Sequence, residues 1–325
     1  MVKFGRKFRI NTIGNVDTGS LAYQAAYSGK AASDSLAQMA SAYLPNDKNV
    51  EIVLQSPLTM TFVVKRFVMP ALATAKITVL NVGKARRDSL YRDPWQSMVS
   101  PMPPIKIAAG YGEGNLPYLF IGNVKSCCSY RRPGSTDYAT EFECFGASDT
   151  VQAAVTSRNM RAGESKNNTI LSLISELTKA DSAITKGAIH SYDTTYSRGI
   201  PLFGETWELL KRETDNKCFI DNNTVHVLEE GDCFAGVVTE ISAESGLKST
   251  PIKHNHMVQV EMVFEPGLVL GQAIRLNSKS YSFFNGDYKI YGIEHSGTIS
   301  DSQGGECSTL VTLYRPDLMT FLNAR

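Results

Sequence analysis

IKIAAGYGEGNLPYLFIGNV, residues 105–124, holds two apolar runs, Ile105 to Gly110 and Leu116 to Val124, on either side of Tyr111-Gly112-Glu113-Gly114-Asn115. Runs of this length flanking a glycine-rich turn read as two antiparallel strands joined in a hairpin. The same reading extends outward. Arg6 to Ile13, Val50 to Leu54, Met60 to Phe67 and Lys76 to Val82 are short runs rich in Val, Ile and Phe, punctuated by Pro57 and Pro70, and Ala139 to Phe145 follows the hairpin. A second group comprises Phe234 to Ile241, Val258 to Phe264, Ala273 to Asn277, Asp287 to Glu294 and Ser308 to Tyr314. In it Val258, Val260, Met262 and Phe264 alternate with polar residues, the period of a half-buried antiparallel strand. Closely spaced strands with turn signals predict a sandwich or barrel in each group.

Helical periodicity is confined to two places. Leu21 to Leu44 is rich in Ala and Ser and sets Leu36, Met39, Ala40 and Tyr43 on one helical face, between Ser33 as N-cap and Pro45. Between the β groups, Thr169 to Thr178 carries Ile170, Leu171, Ile174 and Leu177 on one face behind the cap candidates Asn167 and Asn168. Gly204 to Thr214 reads as a second helix with Trp207, Leu209 and Leu210 inward, and Cys218 to Ile220 and Val225 to Leu228 as a hairpin around Asn222-Asn223. Lys186 to Pro201 shows no apolar period. The expected chain is mainly β with an α+β insertion. A β-barrel spans 1–148 with a helical insertion at about 17–46, an α/β middle unit spans 149–235, and a second, similar β-barrel spans 236–325.

That similarity is itself a sequence reading. Ile105-Lys106-Ile107-Ala108 resembles Ala273-Ile274-Arg275-Leu276, each followed by a turn, an aromatic-rich strand with a glycine (Gly122, Gly292), a polar loop and a further strand. These segments suggest two copies of one barrel.

Composition narrows the function. Of 325 residues 42% are hydrophobic and 20% charged, with 33 basic against 32 acidic side chains, which excludes a disordered chain and a nucleic-acid-binding composition. Near-zero net charge favours association. The N-terminus carries no apolar run after its basic residues, so neither a secretory signal nor a membrane anchor is expected. Six dispersed cysteines, with Cys127 and Cys128 adjacent, form no disulfide framework or C-x-x-C pair and read as buried thiols of a reducing compartment.

The search for chemistry finds little. Gly110-Tyr111-Gly112-Glu113-Gly114 lacks the Lys-Ser or Lys-Thr of a phosphate loop. Glu141 and Glu143, two apart on a strand, share one face, whereas hydrolysis needs carboxylates on opposite sides of a substrate. His254 and His256 could present two imidazoles, with His295, His190 or His226 as the remaining candidates for a third ligand. No catalytic residue, cofactor or metal site is assigned. Basic residues cluster at Lys3, Arg6, Lys7 and Arg9, at Lys84, Arg86 and Arg87, and at Arg131 and Arg132, without aromatic stacking positions between them, so they read as solvated faces or subunit salt bridges.

The order of segments resembles a known family. Val50-Glu51-Ile52-Val53-Leu54, Leu58 to Val64, Ala75-Lys76-Ile77-Thr78-Val79-Leu80-Asn81, Arg87 to Leu90, Ile105 to Tyr111 with Gly110-Tyr111, and Leu119-Phe120-Ile121-Gly122-Asn123-Val124 resemble the first barrel of baseplate hub proteins of contractile-tailed bacteriophages. Trp207 to Leu210, His226 to Leu228, Ser245-Gly246-Leu247, Pro266-Gly267-Leu268 and Gly286-Asp287-Tyr288-Lys289-Ile290 look like the distal part of that family. The motif positions are Asn81, Gly110, Tyr111, Gly122, Gly246, Pro266, Gly267, Gly286 and Asp287. Asn81-Val82 departs from the family's Asn-Leu, and the segment 17–46 has no counterpart.

The resemblance implies a non-enzymatic virion protein with tail-tube-like barrels, assembled in the host cytoplasm into a homotrimer that joins a six-fold tail tube, or its initiator, to a three-fold central spike. Other expected partners are baseplate wedge or tail proteins and double-stranded DNA passing the lumen without specific binding, with no membrane insertion. A lumen of that kind should not be strongly basic, which places the pairs Arg86/Arg87 and Arg131/Arg132 away from it. The alternatives are another tail structural component, such as a tube initiator or spike cap, and a tail-associated cell-wall hydrolase using Glu141, Glu143 or an acid of the middle unit.

Overall fold

The first strand group folds as β1 (Arg6–Asn15), β2 (Asn49–Gln55), β3 (Met60–Phe67), β4 (Thr74–Leu80), a short helix α1 (Lys84–Leu90), β5 (Pro104–Tyr111), β6 (Tyr118–Arg131) and β7 (Tyr138–Phe145). The computed structural model describes residues 5–15, 49–94, 101–112, 114–147, 151, 154–301 and 304–322. The expected helical insertion at 17–46 lies outside the described residues. The second group follows as β13 (Asp232–Ser242), β14 (Ile252–His254), β15 (Met257–Val263), β16 (Gln272–Asn277), β17 (Gly286–Ile299), β18 (Cys307–Tyr314) and β19 (Thr320–Leu322).

Both groups belong to one sheet of fourteen strands, whose main path runs β14-β15-β18-β17-β3-β4-β7-β6-β5-β1-β2. Two separate barrels were expected. Among the described residues β14 and β2 end the path, and no ladder closes either group on itself. The reason is the length of β17. Its first residues pair with β16, its middle with β18, and Gly292 to Ile299 pair antiparallel with Phe67 to Met60 of β3, fusing the groups edge to edge. Phe264, Ile299 and Cys307 accordingly pack into the hydrophobic cluster of the first group.

The ladders repeat. In the first group the neighbour order is β3-β4-β7-β6-β5-β1, and in the second β14-β15-β18-β17-β16-β13. The register repeats as well. Asn123↔Phe145 and Val124↔Cys144 precede a bulge, after which Ser126↔Glu143 to Arg131↔Tyr138 continue. Lys289↔Tyr314 and Ile290↔Leu313 precede a bulge at the same place, followed by Gly292↔Thr312 to Gly297↔Cys307. A bulge re-aims a strand, so two bulges in matching register give two strands the same bend. The match shifts the sequence correspondence by one residue, since Ile105↔Gly122 answers Ile274↔Tyr288. Gly122 and Gly292 are therefore not equivalent. One difference is that β1 pairs antiparallel with β5, whereas β13 pairs parallel with β16.

Between the groups lie β8 (Val155–Met160), α2 (Lys166–Ala180), β9 (Thr185–Ile189), β10 (Ile200–Glu205), α3 (Thr206–Glu213), β11 (Cys218–Asp221) and β12 (Thr224–Val227). The α2 cap is Ser165, whose side chain accepts from Asn167 N, rather than either asparagine. Trp207, Leu209 and Leu210 are buried as their spacing predicts. Asn222 and Asn223 take φ of 47° and 63° in the β11–β12 turn, the left-handed region asparagine tolerates. The unpatterned stretch from Lys186 holds most of β9 and the start of β10. β9 pairs parallel with β12, and β10 pairs with β8 in a separate two-stranded ribbon.

This unit is fastened to the sheet by Ala188 and Phe219, which are buried in the hydrophobic cluster of the second group, and by polar contacts. Arg66 of β3 is only 2% exposed and donates from one terminal nitrogen to both carboxylate oxygens of Asp221 at 3.0 and 3.2 Å, and from the other to Leu268 O at 3.3 Å. The same turn docks on β6, where Ile121 N donates to Asn222 Oδ1 at 3.0 Å.

Candidate functional site

Seven neighbouring strands, β15-β18-β17-β3-β4-β7-β6, present one face to the core and leave the other open. Alternation decides which residues lie where. Val258, Val260 and Met262 are buried on β15, Val311 and Leu313 on β18, Phe62 and Val64 on β3, and Ala75, Ile77 and Val79 on β4. The alternate residues form rows across the open face, such as Val263–Ser308–Ser296–Val63–Lys76–Glu143–Ser126.

The open face is polar and nearly balanced in charge. Its described residues include the glutamates Glu141, Glu143, Glu261 and Glu294 and the lysines Lys65 and Lys76, with Lys125 reaching in from the bulge of β6. Lys65 Nζ lies 3.2 Å from Glu294, and Lys125 Nζ lies 3.8 Å from Glu143. Glu141 accepts from the Tyr130 hydroxyl at 2.7 Å, which with desolvation holds the Tyr130 pKa above its ordinary value. The two glutamates do share a face, and each is met by a donor of β6 rather than by a second carboxylate across a cleft.

Of the expected arginine pairs, three members are placed off this face, and Arg132, in the β6–β7 loop, lies near Tyr130 at its rim. Arg86 and Arg87 are on α1, with the Arg87 guanidinium 3.8 Å from the Tyr138 ring centroid. Arg131 ends β6 on the opposite alternation, and its Nε donates to Ser135 O in the β6–β7 loop. Of the N-terminal cluster, Lys3 is outside the described residues. Arg6 donates to Gly305 O, and Lys7 lies 3.5 Å from Asp301.

The motif positions are spread through the sheet instead of converging. Asn81, at φ 57°, ends β4; its Nδ2 donates to Asp137 at 2.9 Å and its Oδ1 accepts from Tyr138 N at 3.1 Å. Gly110 and Tyr111 end β5, and the Tyr111 hydroxyl donates to Phe264 O at 2.9 Å, a bond across the two groups. A Cβ on Gly122 would lie 2.4 Å from Phe145 O, so only glycine lets β6 pass there. Gly246 O accepts from Val263 N, and Pro266 and Gly267 lie in the turn where Gly267 N donates to Glu265 at 3.4 Å. Gly286 opens β17, and Asp287 accepts two bonds from Arg275 at 2.7 and 3.1 Å, which hold its carboxyl below the usual range. Gly110 and Tyr111 thus stand at a strand end and Asn81 just past one, while Asn81, Tyr111 and Asp287 tie segments together through hydrogen bonds.

The histidines do not assemble. His254 is on β14 at the sheet's edge, whereas His295 is fully buried in β17 with Nδ1 2.9 Å from Thr309 Oγ1. Burial, with Arg66 nearby, keeps His295 well below its ordinary pKa. Among the described residues no group of three His, Cys, Asp or Glu could hold a metal ion. His190 meets Asp232 at 2.7 Å, in a polar cluster with Glu229, Tyr192 and Lys217 that the sequence reading missed because its members come from separate elements. Five cysteines are buried and Cys128 is exposed, all of them free. Desolvation raises the thiol pKa of each, which keeps the thiols protonated.

A family model described as baseplate hub gp41 matches residues 40–303. Among solved structures the fold is similar to that of a 43 kDa tail protein of prophage MuSo2 from Shewanella oneidensis, at TM-score 0.54 and 9% identity, over 83% of this chain and 97% of that one. A tail protein from Neisseria meningitidis MC58 is similar at TM-score 0.51 and 8% identity, over 81% and 97% of the two chains. No curated protein sequence matches. No helix among the described residues is long and apolar enough to cross a membrane.

Proposed function

The chain belongs to the baseplate hub gp41 family, a structural component of the phage tail and not an enzyme, and we propose that it works there as a trimeric adaptor ring. In this reading each strand group is one tube-like module, flanking the middle unit at about 149–235, and three chains supply six quasi-equivalent modules. Such a ring faces a six-fold tail tube on one side and a three-fold spike on the other, so that it resolves a symmetry mismatch. The observation that carries the reading is the repeated ladder register, bulge included, in two groups already fused edge to edge by β17 and β3.

The open face is then the lumen wall. Four glutamates against three lysines give phosphates no basic surface to condense on, which suits passage of double-stranded DNA without retention. Motif positions such as Asn81, Gly122 and Asp287 serve as structural joints. The test is electron microscopy of the purified protein with native mass measurement. Three chains in a ring with pseudo-six-fold density are expected. A monomer at tens of micromolar, or a ring of another order, would overturn the proposal.

A further inference from the structure

We propose that neighbouring copies join by strand addition, with the β14 edge of one copy extending the ladder on the far half of β6 in the next. The proposal rests on the ring reading and adds its contact residues. Its template is within the chain, because β17 and β3 already make such a joint between the two groups. The matched ladders make β6 the counterpart of β17, with Ser129 answering His295 and Tyr130 answering Ser296. They make β14 the counterpart of β3, since Ile252↔Gln259 and Lys253↔Val258 answer Val63↔Lys76 and Val64↔Ala75. At the internal joint His295↔Val64 and Ser296↔Val63 are partners. Carried over by the repeat, Ser129 faces Lys253 and Tyr130 faces Ile252 of the neighbouring copy.

Both edges are suited to this. β14 ends the sheet path and is exposed along its whole length. Along the outer edge of β6 beyond Asn123, the ladder among the described residues is a single bridge, in which Arg92 N and O bond Cys127 O and N at 2.8 and 2.9 Å. Arg92 thus stands at Cys127 where Arg66 stands at Ile293, so the ladder between copies begins just past it, at Ser129. The Arg92 bonds also fix the phase. Cys127 turns its backbone groups outward, so Ser129 does too, and Tyr130 takes the non-hydrogen-bonded position, where side chains approach most closely. Tyr130 and Ile252 are 41% and 55% exposed in the single chain and would cover each other as an aromatic and β-branched cross-strand pair. Pro251, which has no N–H to donate, falls opposite Arg131 and ends the ladder.

A non-hydrogen-bonded pair places Cα atoms about 4.5 Å apart, within reach of a disulfide. The test combines Tyr130→Cys and Ile252→Cys in a Cys128→Ser background, which removes the exposed native thiol two residues away. Mild oxidation of the assembled full-length protein is expected to give a ladder on non-reducing gels that stops at three chains, with each single variant remaining one chain. Both substituted side chains are exposed, so the core is untouched. A three-chain ring by native mass with no cross-link would overturn this joint while leaving the ring standing. A cross-link that runs past three chains would support the joint and refute the three-fold closure. A single-chain species without cross-link would overturn both.

Discussion

Asp221→Ala tests the fastening of the middle unit to the sheet. The carboxylate is 6% exposed and is the anionic partner of an arginine that is itself 2% exposed. Removing it leaves a buried guanidinium with Leu268 O as its remaining hydrogen-bond acceptor among the contacts described, and uncompensated buried charges of this kind cost about 3–5 kcal/mol. An unfolding entropy of roughly 2.1 cal/mol/K per residue, over a chain of 325 residues, gives about 0.7 kcal/mol/K. The expected loss of melting temperature is therefore about 4–7 °C, read by circular dichroism or calorimetry. A second variant separates charge burial from lost packing. Replacing both partners, Arg66→Met with Asp221→Leu, removes the stranded charge together with its counter-ion and should return stability to within about 1 kcal/mol of the starting protein. A shift below about 1.5 °C for Asp221→Ala would refute the reasoning, as would a double variant no more stable than the single one.

Two further outcomes follow from other sites. Burial lowers the His226 pKa to about 4, and its Nδ1 accepts from Ala188 N at 3.1 Å, so the folded protein keeps this imidazole neutral. The unfolded chain binds that proton below about pH 6.5. Stability should therefore be full above that value and fall by on the order of 3 kcal/mol down to about pH 4. His226→Asn should flatten that part of a urea-midpoint titration against pH. Asn81→Ala removes two side-chain bonds and forces alanine into φ 57°, with an expected loss of about 1–3 kcal/mol in urea unfolding. Asn81→Gly relieves the backbone part and should lose less; equal losses would show that the left-handed conformation contributes nothing.

Much of the architecture is legible without coordinates because a strand with one buried face writes that face into alternate residues. Met60 to Phe67 and Met257 to Val263 carry the pattern plainly, and their expected spans coincide with the observed ones or differ by a residue. The hairpin at Asn222-Asn223 and the inward side of α3 were readable for similar local reasons. Other short elements were not. β8, β9, β14 and β19 have three to six residues, and most of them lie at edges or in the middle unit, where exposure erases the alternation.

The repeat shows where local reading ends. Two similar strand groups were visible, yet the glycines that the sequence comparison sets side by side, Gly122 and Gly292, occupy different places in the ladder. What matches is the position of a bulge between paired strands, a property of two segments distant in the chain and absent from either alone. The amino-acid sequence by itself determined the identity of the longer strands, their inward faces and the absence of any local catalytic motif, since these depend on neighbours a few residues away. Only tertiary structure decided that β17 runs on to pair with β3, that one sheet face stays open with its charges nearly balanced, and that Arg66 finds Asp221 155 positions away. Pairing of edges and burial of charge depend on which distant segments meet, and no periodicity within one segment records that.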